Sequence, residues 1–304
     1  MNILIALFPA LVWGAGPIIA TIVGGKPINQ LLGTGYGQMI VGVILYLIFR
    51  PEMTLSAFFW CFLGGALWSI AQLMQFTSFV EMDVSTAMPV STGLQLIEIP
   101  LSGVIFWGEW ASGQSKLIGF LSIVLLIVGI TFTSLRSKRN QNSAPKKKMN
   151  YKKGMLMLLI GSFGYTACSV FPRIPNASGM TGLLPQTLGM FFGGVVLAAI
   201  MNHRNSNVSG SSNGAAAKPI WYDKWTKESI TIGLLGGLGT LAYLTSLKLN
   251  GVATSFPLTQ LNVVVSTIGA IVILHEHKTH QELTFTLVGL IMIMIAAFMI
   301  AKIS

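Results

Sequence analysis

The sequence predicts an all-α polytopic membrane protein of ten transmembrane helices, arranged as two inverted five-helix repeats. Three observations support this prediction: the composition is strongly apolar, long apolar runs recur along the chain, and the two halves resemble each other. Of the 304 residues, 53% are hydrophobic and 9% are charged, against about 25% charged residues in a typical soluble domain. Lipid is expected to cover most of the surface, because a soluble fold with so few charges would expose large apolar patches.

The apolar runs locate the ten helices. Each run has about 18 residues or more, which is enough for a helix to cross a hydrocarbon core of about 30 Å. The predicted spans are 3–22, 31–49, 56–80, 84–107, 116–135, 154–172, 182–201, 229–249, 252–274 and 283–302. The first run lacks a basic segment and a small-residue cleavage site, so we interpret it as a retained span and not as a signal peptide.

The positive charge is concentrated in two polar segments, which predict the orientation. Residues 136–153 carry eight Lys/Arg residues and no acidic residue, and residues 202–227 form a second basic segment with a low-complexity, linker-like stretch. Basic loops remain in the cytoplasm, so both termini are expected outside. This distribution of the net charge of +10 is typical of a membrane protein and does not indicate a nucleic-acid partner.

An internal repeat predicts the architecture. Residues 76–89 align without gaps on residues 244–257, with five identities in fourteen positions. The predicted units are a first repeat (1–135), a basic connecting loop (136–153) and a second repeat (154–304). An odd number of spans per half inserts the second copy upside down, an arrangement typical of secondary transporters with a substrate site between the halves.

Four of the predicted helices carry one polar stripe each, two in each half. The stripes consist of Trp68, Gln72 and Gln75; Ser91, Gln95, Glu98 and Ser102; Gly236, Thr240 and Tyr243; and Thr259, Gln260, Asn262 and Ser266. Lipid cannot satisfy such groups, so the stripes are expected to face inward onto a shared cavity. The structural alternative is hydrogen bonding between helices, and glycines such as Gly65 are expected to serve close packing.

The chemistry of the stripes indicates a neutral substrate. The predicted substrate-binding residues are Trp68, Gln72, Gln75, Gln95, Tyr243, Thr259, Gln260 and Asn262. Amides and hydroxyls match the donors and acceptors of a sugar, aromatic rings can stack on its C–H face, and the spans have no central Lys or Arg to bind phosphate or carboxylate. Trp13 and Tyr165 are further candidate aromatic faces. An aromatic site with one carboxylate also suits an organic cation, so a cation exporter is the alternative.

Glu98 is the predicted proton-coupling residue. Intramembrane carboxylates are costly and indicate function by default, and we expect Gln95, one turn earlier, to hydrogen-bond Glu98 in either protonation state. The structural alternative is a permanently protonated Glu98 that only bonds a neighbouring helix. A non-transporting membrane scaffold is a further alternative, and a homodimer is left open.

No other motif indicates an enzyme, a cofactor or a metal site. The sequence has no P-loop and no nucleophile–base arrangement, so no catalysis and no cofactor are expected beyond a coupling proton. The stretch His275 to His280 resembles the turn at 105–110, and a repeated turn explains its glutamate Glu276 better than a metal ligand does.

The opening of the chain resembles a known family. Trp13-Gly14, the Gly-Gly-x-Pro turn at 24–27, Asn29-Gln30 and Gly33-Thr34 are similar to the opening of the glucose/ribose uptake family of the drug/metabolite transporter superfamily, and the resemblance extends over the full length. It implies a monosaccharide permease of the bacterial plasma membrane, driven by protons. The resemblance supplies no list of sugar-binding residues and does not separate glucose from ribose.

Overall fold

The computed structural model describes residues 2–108, 110–135, 149–177, 180–209, 220–250 and 259–303, and the regular elements within these ranges are all helical. The helices are α1 (Asn2–Val23), α2 (Pro27–Phe49), α3 (Leu55–Glu81), α4 (Val84–Trp107), α5 (Gly113–Ser134), α6 (Tyr151–Val170), α7 (Met180–Ser209), the short α8 (Lys224–Glu228), α9 (Ile230–Asn250), α10 (Asn262–Val272) and α11 (His280–Ala301). Two 3₁₀ turns, Phe171–Arg173 and Ile220–Tyr222, precede α7 and α8.

Seven helices of the described ranges, α2 to α7 and α11, are long and apolar enough to cross a membrane. Leu7–Val23 in α1 and Asn262–Val272 are shorter apolar segments. Large apolar side chains such as Leu55, Ile105 and Phe120 are well exposed, which suits a surface covered by lipid. The predicted polytopic all-α membrane protein is therefore confirmed, whereas ten crossing helices and inverted repeats remain predictions.

Two predicted boundaries are shifted. Helix α6 begins at Tyr151, inside the predicted connecting loop, because the Asn150 side chain caps it by accepting the Lys153 N–H at 3.1 Å. The second basic segment, 202–227, is also partly helical, since it contains the end of α7 and most of α8, and α7 extends to Ser209 within its linker-like stretch. Residues 252–258, which make up most of the first half of predicted span 252–274, lie outside the described residues.

The turn between α1 and α2 explains much of the glycine-rich opening. Gly24 and Gly25 have φ values of 74° and 77°, a conformation that glycine adopts without steric cost. The Gln30 amide donates to the carbonyls of Ala20 and Gly24 at 2.7 and 3.0 Å, and Asn29 bonds Thr226 of α8. The described hydrogen bonds of Gln30 hold the turn together, and that of Asn29 joins the turn to α8.

Helices of the first half pack mainly on helices of the second half. In the first half, α3 packs on α6 and α7, and α4 packs on α6. In the second half, α9 packs on α1 and α2, and α10 packs on α1. Three further contacts join α2 to α7, α4 to α10 and α5 to α11. The polar stripes therefore lie at contacts between the halves.

Close approach at these contacts depends on glycine. A Cβ added at Gly65 of α3 would overlap the Gln186 backbone of α7, and one at Gly233 of α9 would overlap the Thr34 backbone of α2. Small residues at helix contacts let backbones approach closely within a bilayer. The packing role expected of Gly65 is confirmed.

Candidate functional site

A hydrogen-bonded cluster of amides joins α3, α4 and α6. The Gln75 amide donates to Ser91 Oγ at 2.8 Å, and the Gln95 amide donates to the same oxygen at 3.3 Å. The Gln72 amide donates to Gln75 Oε1 at 3.3 Å. The Tyr165 hydroxyl lies 3.0 Å from Gln72 Oε1 and 2.9 Å from Gln75 Oε1. The structure thus brings together three predicted amides and a tyrosine that the sequence offered only as an aromatic face.

Glu98 of α4 is bonded by two hydroxyls of α6. Ser162 Oγ lies 2.6 Å from Glu98 Oε1, and Thr166 Oγ1 lies 2.9 Å from Glu98 Oε2. Glu98 is half-buried. The expected partner is different: the Gln95 amide bonds the Ser91 carbonyl at 3.2 Å and the Ser91 hydroxyl. The described bonds of the Glu98 carboxyl run to α6, because α4 packs against that helix.

The geometry at Ser162 suits both protonation states of Glu98. Ser162 Oγ also lies 2.7 Å from the Leu159 carbonyl of its own helix. A hydroxyl has one hydrogen and two lone pairs. Facing a carboxylate, Ser162 donates to Glu98. Facing a protonated carboxyl, it donates to Leu159 and accepts from Glu98. The Ser162 hydroxyl can therefore hydrogen-bond either form of the carboxyl group.

A second polar region lies at the contact of α1, α2 and α9. The Trp13 indole donates to the Gly236 carbonyl at 3.2 Å, and its ring lies 5.7 Å from the Tyr243 ring, centroid to centroid. Gln38 of α2 is buried beside Gly236, since a Cβ on that glycine would lie 3.1 Å from Gln38 Nε2. Gln38 Oε1 has no hydrogen-bond partner among the described residues, which leaves an acceptor for a bound hydroxyl.

The remaining predicted residues are placed less closely around the amide cluster. Asn262 is linked to α4 through the Thr92 hydroxyl at 3.4 Å. Thr259 and Gln260 are buried and adjacent, with the Gln260 amide 3.3 Å from Thr259 Oγ1. The Trp68 ring packs against an apolar cluster of α1, α2, α3, α7 and α9.

Glu276 joins the two halves at the start of α4. Its carboxylate oxygens accept the N–H groups of Val84 and Ser85 at 2.8 and 3.0 Å, which satisfies donors that a helix start leaves free. Burial raises the pKa of Glu276 above its ordinary value, and the nearby Asp83 charge raises it further. The hydrogen bonds from the two N–H groups lower the pKa but do not outweigh the effect of burial. The turn at 275–280 in the second half thus supplies a capping residue for α4 in the first half.

Sequence reasoning missed Ser162, Thr166, Gln38 and Thr92. The spacing of Ser162 and Thr166 was an available signal, because residues four apart share one helix face. Gln38 lies four residues after Thr34 and eight after Gln30, so the same spacing was available for it, and its burial follows from the approach of α9.

Comparison with known proteins identifies the family. The family described as "Sugar transport protein" matches residues 4–303. The chain belongs to that family.

Curated relatives span the whole chain. The "Glucose uptake protein GlcU" of Bacillus subtilis (strain 168) is 38% identical over 297 residues, covering 98% of this chain and 96% of the relative. The "Putative ribose uptake protein RbsU" of Latilactobacillus sakei subsp. sakei (strain 23K) is 37% identical over 300 residues, covering 97% and 96%. Membership of this family and the membrane-spanning helices identify a multi-pass protein of the bacterial plasma membrane with a role in sugar transport.

The fold also occurs in a solved crystal structure. That structure matches with a TM-score of 0.61 and 12% identity, covering 99% of this chain and 98% of the other. At this identity the likeness concerns the fold alone.

Proposed function

We propose that the protein takes up a neutral monosaccharide, glucose or ribose, by proton symport with alternating access. The observation that carries the proposal is a half-buried carboxyl whose partners suit both protonation states, on the same helix as an amide cluster. The names of the relatives support glucose and ribose as substrates. The family relation supports uptake over the cation-exporter alternative and over a scaffold without transport.

The contacts between helices support a ten-helix inverted repeat. Pairing α1 with α6, α2 with α7, α3 with α9, α4 with α10 and α5 with α11 exchanges the two halves. This exchange converts the α3–α7 contact into α9–α2, α3–α6 into α9–α1, and α4–α6 into α10–α1, each of which occurs. Gly65 and Gly233 differ by the 168-residue shift of the sequence repeat, and both mark close contacts. Such a relation between halves is the basis of alternating access in secondary transporters.

The sugar is assigned to the region between the halves. Gln72, Gln75 and Gln95 supply amides from the first half, and Thr259, Gln260 and Asn262 supply polar groups from the second. Trp68 or Tyr243 would stack on the sugar ring, and Gln38 adds an acceptor. Glu98 would load a proton on the outer side and release it inside, its hydroxyl partners keeping it bonded in either state.

Uptake measurements test the proposal. In a strain that lacks other sugar permeases, expression of the protein is expected to give accumulation of radiolabelled glucose or ribose that a protonophore abolishes. Accumulation that survives the protonophore would exclude proton coupling. Export of an organic cation, with no sugar uptake, would instead support the alternative.

The proposed orientation has its own test. The basic loop 136–153 is proposed to be cytoplasmic, and Ser143 in it lies outside the described residues. Ser143→Cys is expected to resist membrane-impermeant thiol reagents in intact cells and to react after lysis. Labelling in intact cells would reverse the topology.

A further inference from the structure

The Tyr165 hydroxyl of α6 lies between two amide oxygens of α3. It is 3.0 Å from Gln72 Oε1 and 2.9 Å from Gln75 Oε1, and the Gln72 amide donates to Gln75 Oε1 at 3.3 Å. A tyrosine hydroxyl has one hydrogen, so it can donate a well-directed hydrogen bond to only one of the two oxygens. The other oxygen then faces the phenol oxygen with no hydrogen between them.

Turning the amides over does not remove this mismatch. An amide that rotates by half a turn exchanges its oxygen and nitrogen in nearly the same shape. Turning over Gln72 alone or Gln75 alone places two oxygens or two nitrogens at the 3.3 Å contact between them. If both turn over, both amides donate to the Tyr165 oxygen, and the phenol hydrogen has no acceptor among the described residues. One arrangement therefore lacks a donor at Tyr165, and the other lacks an acceptor.

Part of this cluster is accessible to a further group. Gln75 is buried, whereas the side chains of Gln72 and Tyr165 are half-buried. Tyr165 is followed by Thr166, which bonds Glu98, so the accessible part of the cluster lies at the same level of α6 as the proposed proton site. A group bound there would contact α3 of the first half and α6 of the second half at once.

The missing partner has the chemistry of a hydroxyl group. A hydroxyl donates one hydrogen and has two lone pairs, so it can supply either the donor or the acceptor that the cluster lacks. An ammonium group only donates and an ether oxygen only accepts, so each completes one arrangement alone. We propose that Tyr165 is a specificity-determining residue that binds one substrate hydroxyl together with Gln72 and Gln75. This assignment rests on the proposed function and replaces the stacking face expected of Tyr165 with a hydrogen-bonding role.

Competition by monodeoxy analogues tests the assignment. Uptake of radiolabelled glucose or ribose, whichever the parent takes up, is measured in cells expressing the full chain, against analogues that each lack one hydroxyl. One analogue is expected to compete about tenfold more weakly than the complete sugar, because it leaves the cluster without its partner. In Tyr165→Phe this difference should fall to about threefold or less, and the other analogues should keep their parental order.

Two further variants locate the effect. Gln72→Leu should also lower the discrimination against the same analogue, since Gln72 shares the substrate hydroxyl. Tyr46→Phe removes a phenol hydroxyl at a half-buried position of α2 outside the cluster and should discriminate as the parent does. The discrimination is a ratio of affinities, so it does not depend on the amount of protein in the membrane. Thermal stabilisation of the purified protein by each sugar gives the same ratio for a variant that binds without transporting.

The outcomes separate this assignment from the proposed function. Unchanged discrimination in Tyr165→Phe would overturn the assignment and leave sugar uptake standing, because a tyrosine that only packs helices affects all analogues alike. A parent that accepts every monodeoxy analogue as well as the complete sugar would also overturn it. No sugar uptake by the parent would refute the proposed function and this assignment with it.

Discussion

The contact of α4 with α6 and the contact of α10 with α1 are counterparts under the proposed exchange of the halves, yet their chemistry differs. In the first, Glu98 is held by Ser162 and Thr166. In the second, the shifted counterpart of Glu98 is Ser266, whose hydroxyl bonds the Val263 carbonyl of its own helix at 3.2 Å. There Gly14 of α1 packs tightly against α10.

This difference shows how one scaffold serves two purposes. Repeating a helix contact reproduces shape, because small residues allow the same close approach twice. It does not reproduce the carboxyl group, since charged groups within the membrane are costly. Under the proposed mechanism, the α4–α6 contact carries the proton on Glu98. The α10–α1 contact carries no carboxyl group and serves tight packing.

Glu98→Gln should have the largest effect, because it removes the titratable group of the α4–α6 contact while keeping its shape. The variant is expected to equilibrate sugar down its gradient but to lose accumulation against a gradient and the response to an imposed pH difference. Counterflow and uptake in energised vesicles distinguish these activities. Ser266→Ala, at the counterpart contact, is the control and should accumulate sugar normally. Accumulation by Glu98→Gln at the parental level would make Glu98 a packing residue.

Loss of amides should have the next largest effect and should differ between the halves. Gln72→Leu should lower uptake about tenfold or more, because buried partners are left unpaired. Asn262→Leu should also weaken transport strongly, but less than Gln72→Leu, since the hydrogen bond between Asn262 and Thr92 is long at 3.4 Å.

The control for the amides is Ser102→Ala, which should matter least because its hydroxyl bonds the Glu98 carbonyl of its own helix at 2.8 Å. Initial uptake rates normalised to the amount of protein in the membrane measure the series. Parental rates in Gln72→Leu, Gln95→Leu and Asn262→Leu together would show that the stripes only pack helices.

Paired substitutions on α1 and α6 separate packing from coupling. A Cβ at Gly14 would lie 2.6 Å from Val265 Cβ and 2.8 Å from the Asn262 carbonyl, so Gly14→Ala should destabilise the protein by about 1–3 kcal/mol. Ser162→Ala should cost less stability than Gly14→Ala, since it introduces no overlap, but it should lower sugar accumulation because it removes one of the two hydroxyl partners of Glu98. Thermal unfolding in detergent and uptake against a gradient report the two effects. A stable Gly14→Ala variant together with a strongly destabilised Ser162→Ala variant would contradict this division of roles between the two contacts.

The Glu276 cap should have the smallest effect. Glu276→Ala should lower stability by about 1 kcal/mol, because it leaves two helix-start donors of α4 unpaired. Burial raises the pKa of Glu276, so the folded state holds its proton more tightly than the unfolded state does. Its contribution to stability is therefore complete below the ordinary pKa of a glutamate and decreases as pH rises through the raised pKa. Glu276→Gln should remove this decrease from a series of melting temperatures against pH. An unchanged series would exclude Glu276 as its source.

Much of the candidate site was predictable because helical spacing places residues on one face. The stripe of Gln72 and Gln75 and the stripe of Gln95 and Glu98 follow directly from the sequence and a helical period. The face that α6 turns toward α4 cannot be read from the sequence. The sequence therefore predicted Gln95 as the partner of Glu98, whereas the partners are Ser162 and Thr166 of α6. Gln38 shares a helix face with Gln30 and Thr34, but its place beside Gly236 depends on how α9 packs on α2.

The sequence alone determined that the protein is a membrane-spanning helical protein of the sugar transport family. That information is local or compositional: charge content, the length of apolar runs, the motif-rich opening and the similarity of the two halves can each be read along the chain. Only the tertiary structure decided that Glu98 bonds Ser162 and Thr166, that Glu276 caps α4, and that Tyr165 bonds the amide cluster. These features depend on distances between helices far apart in sequence, and side-chain packing over the whole molecule sets those distances.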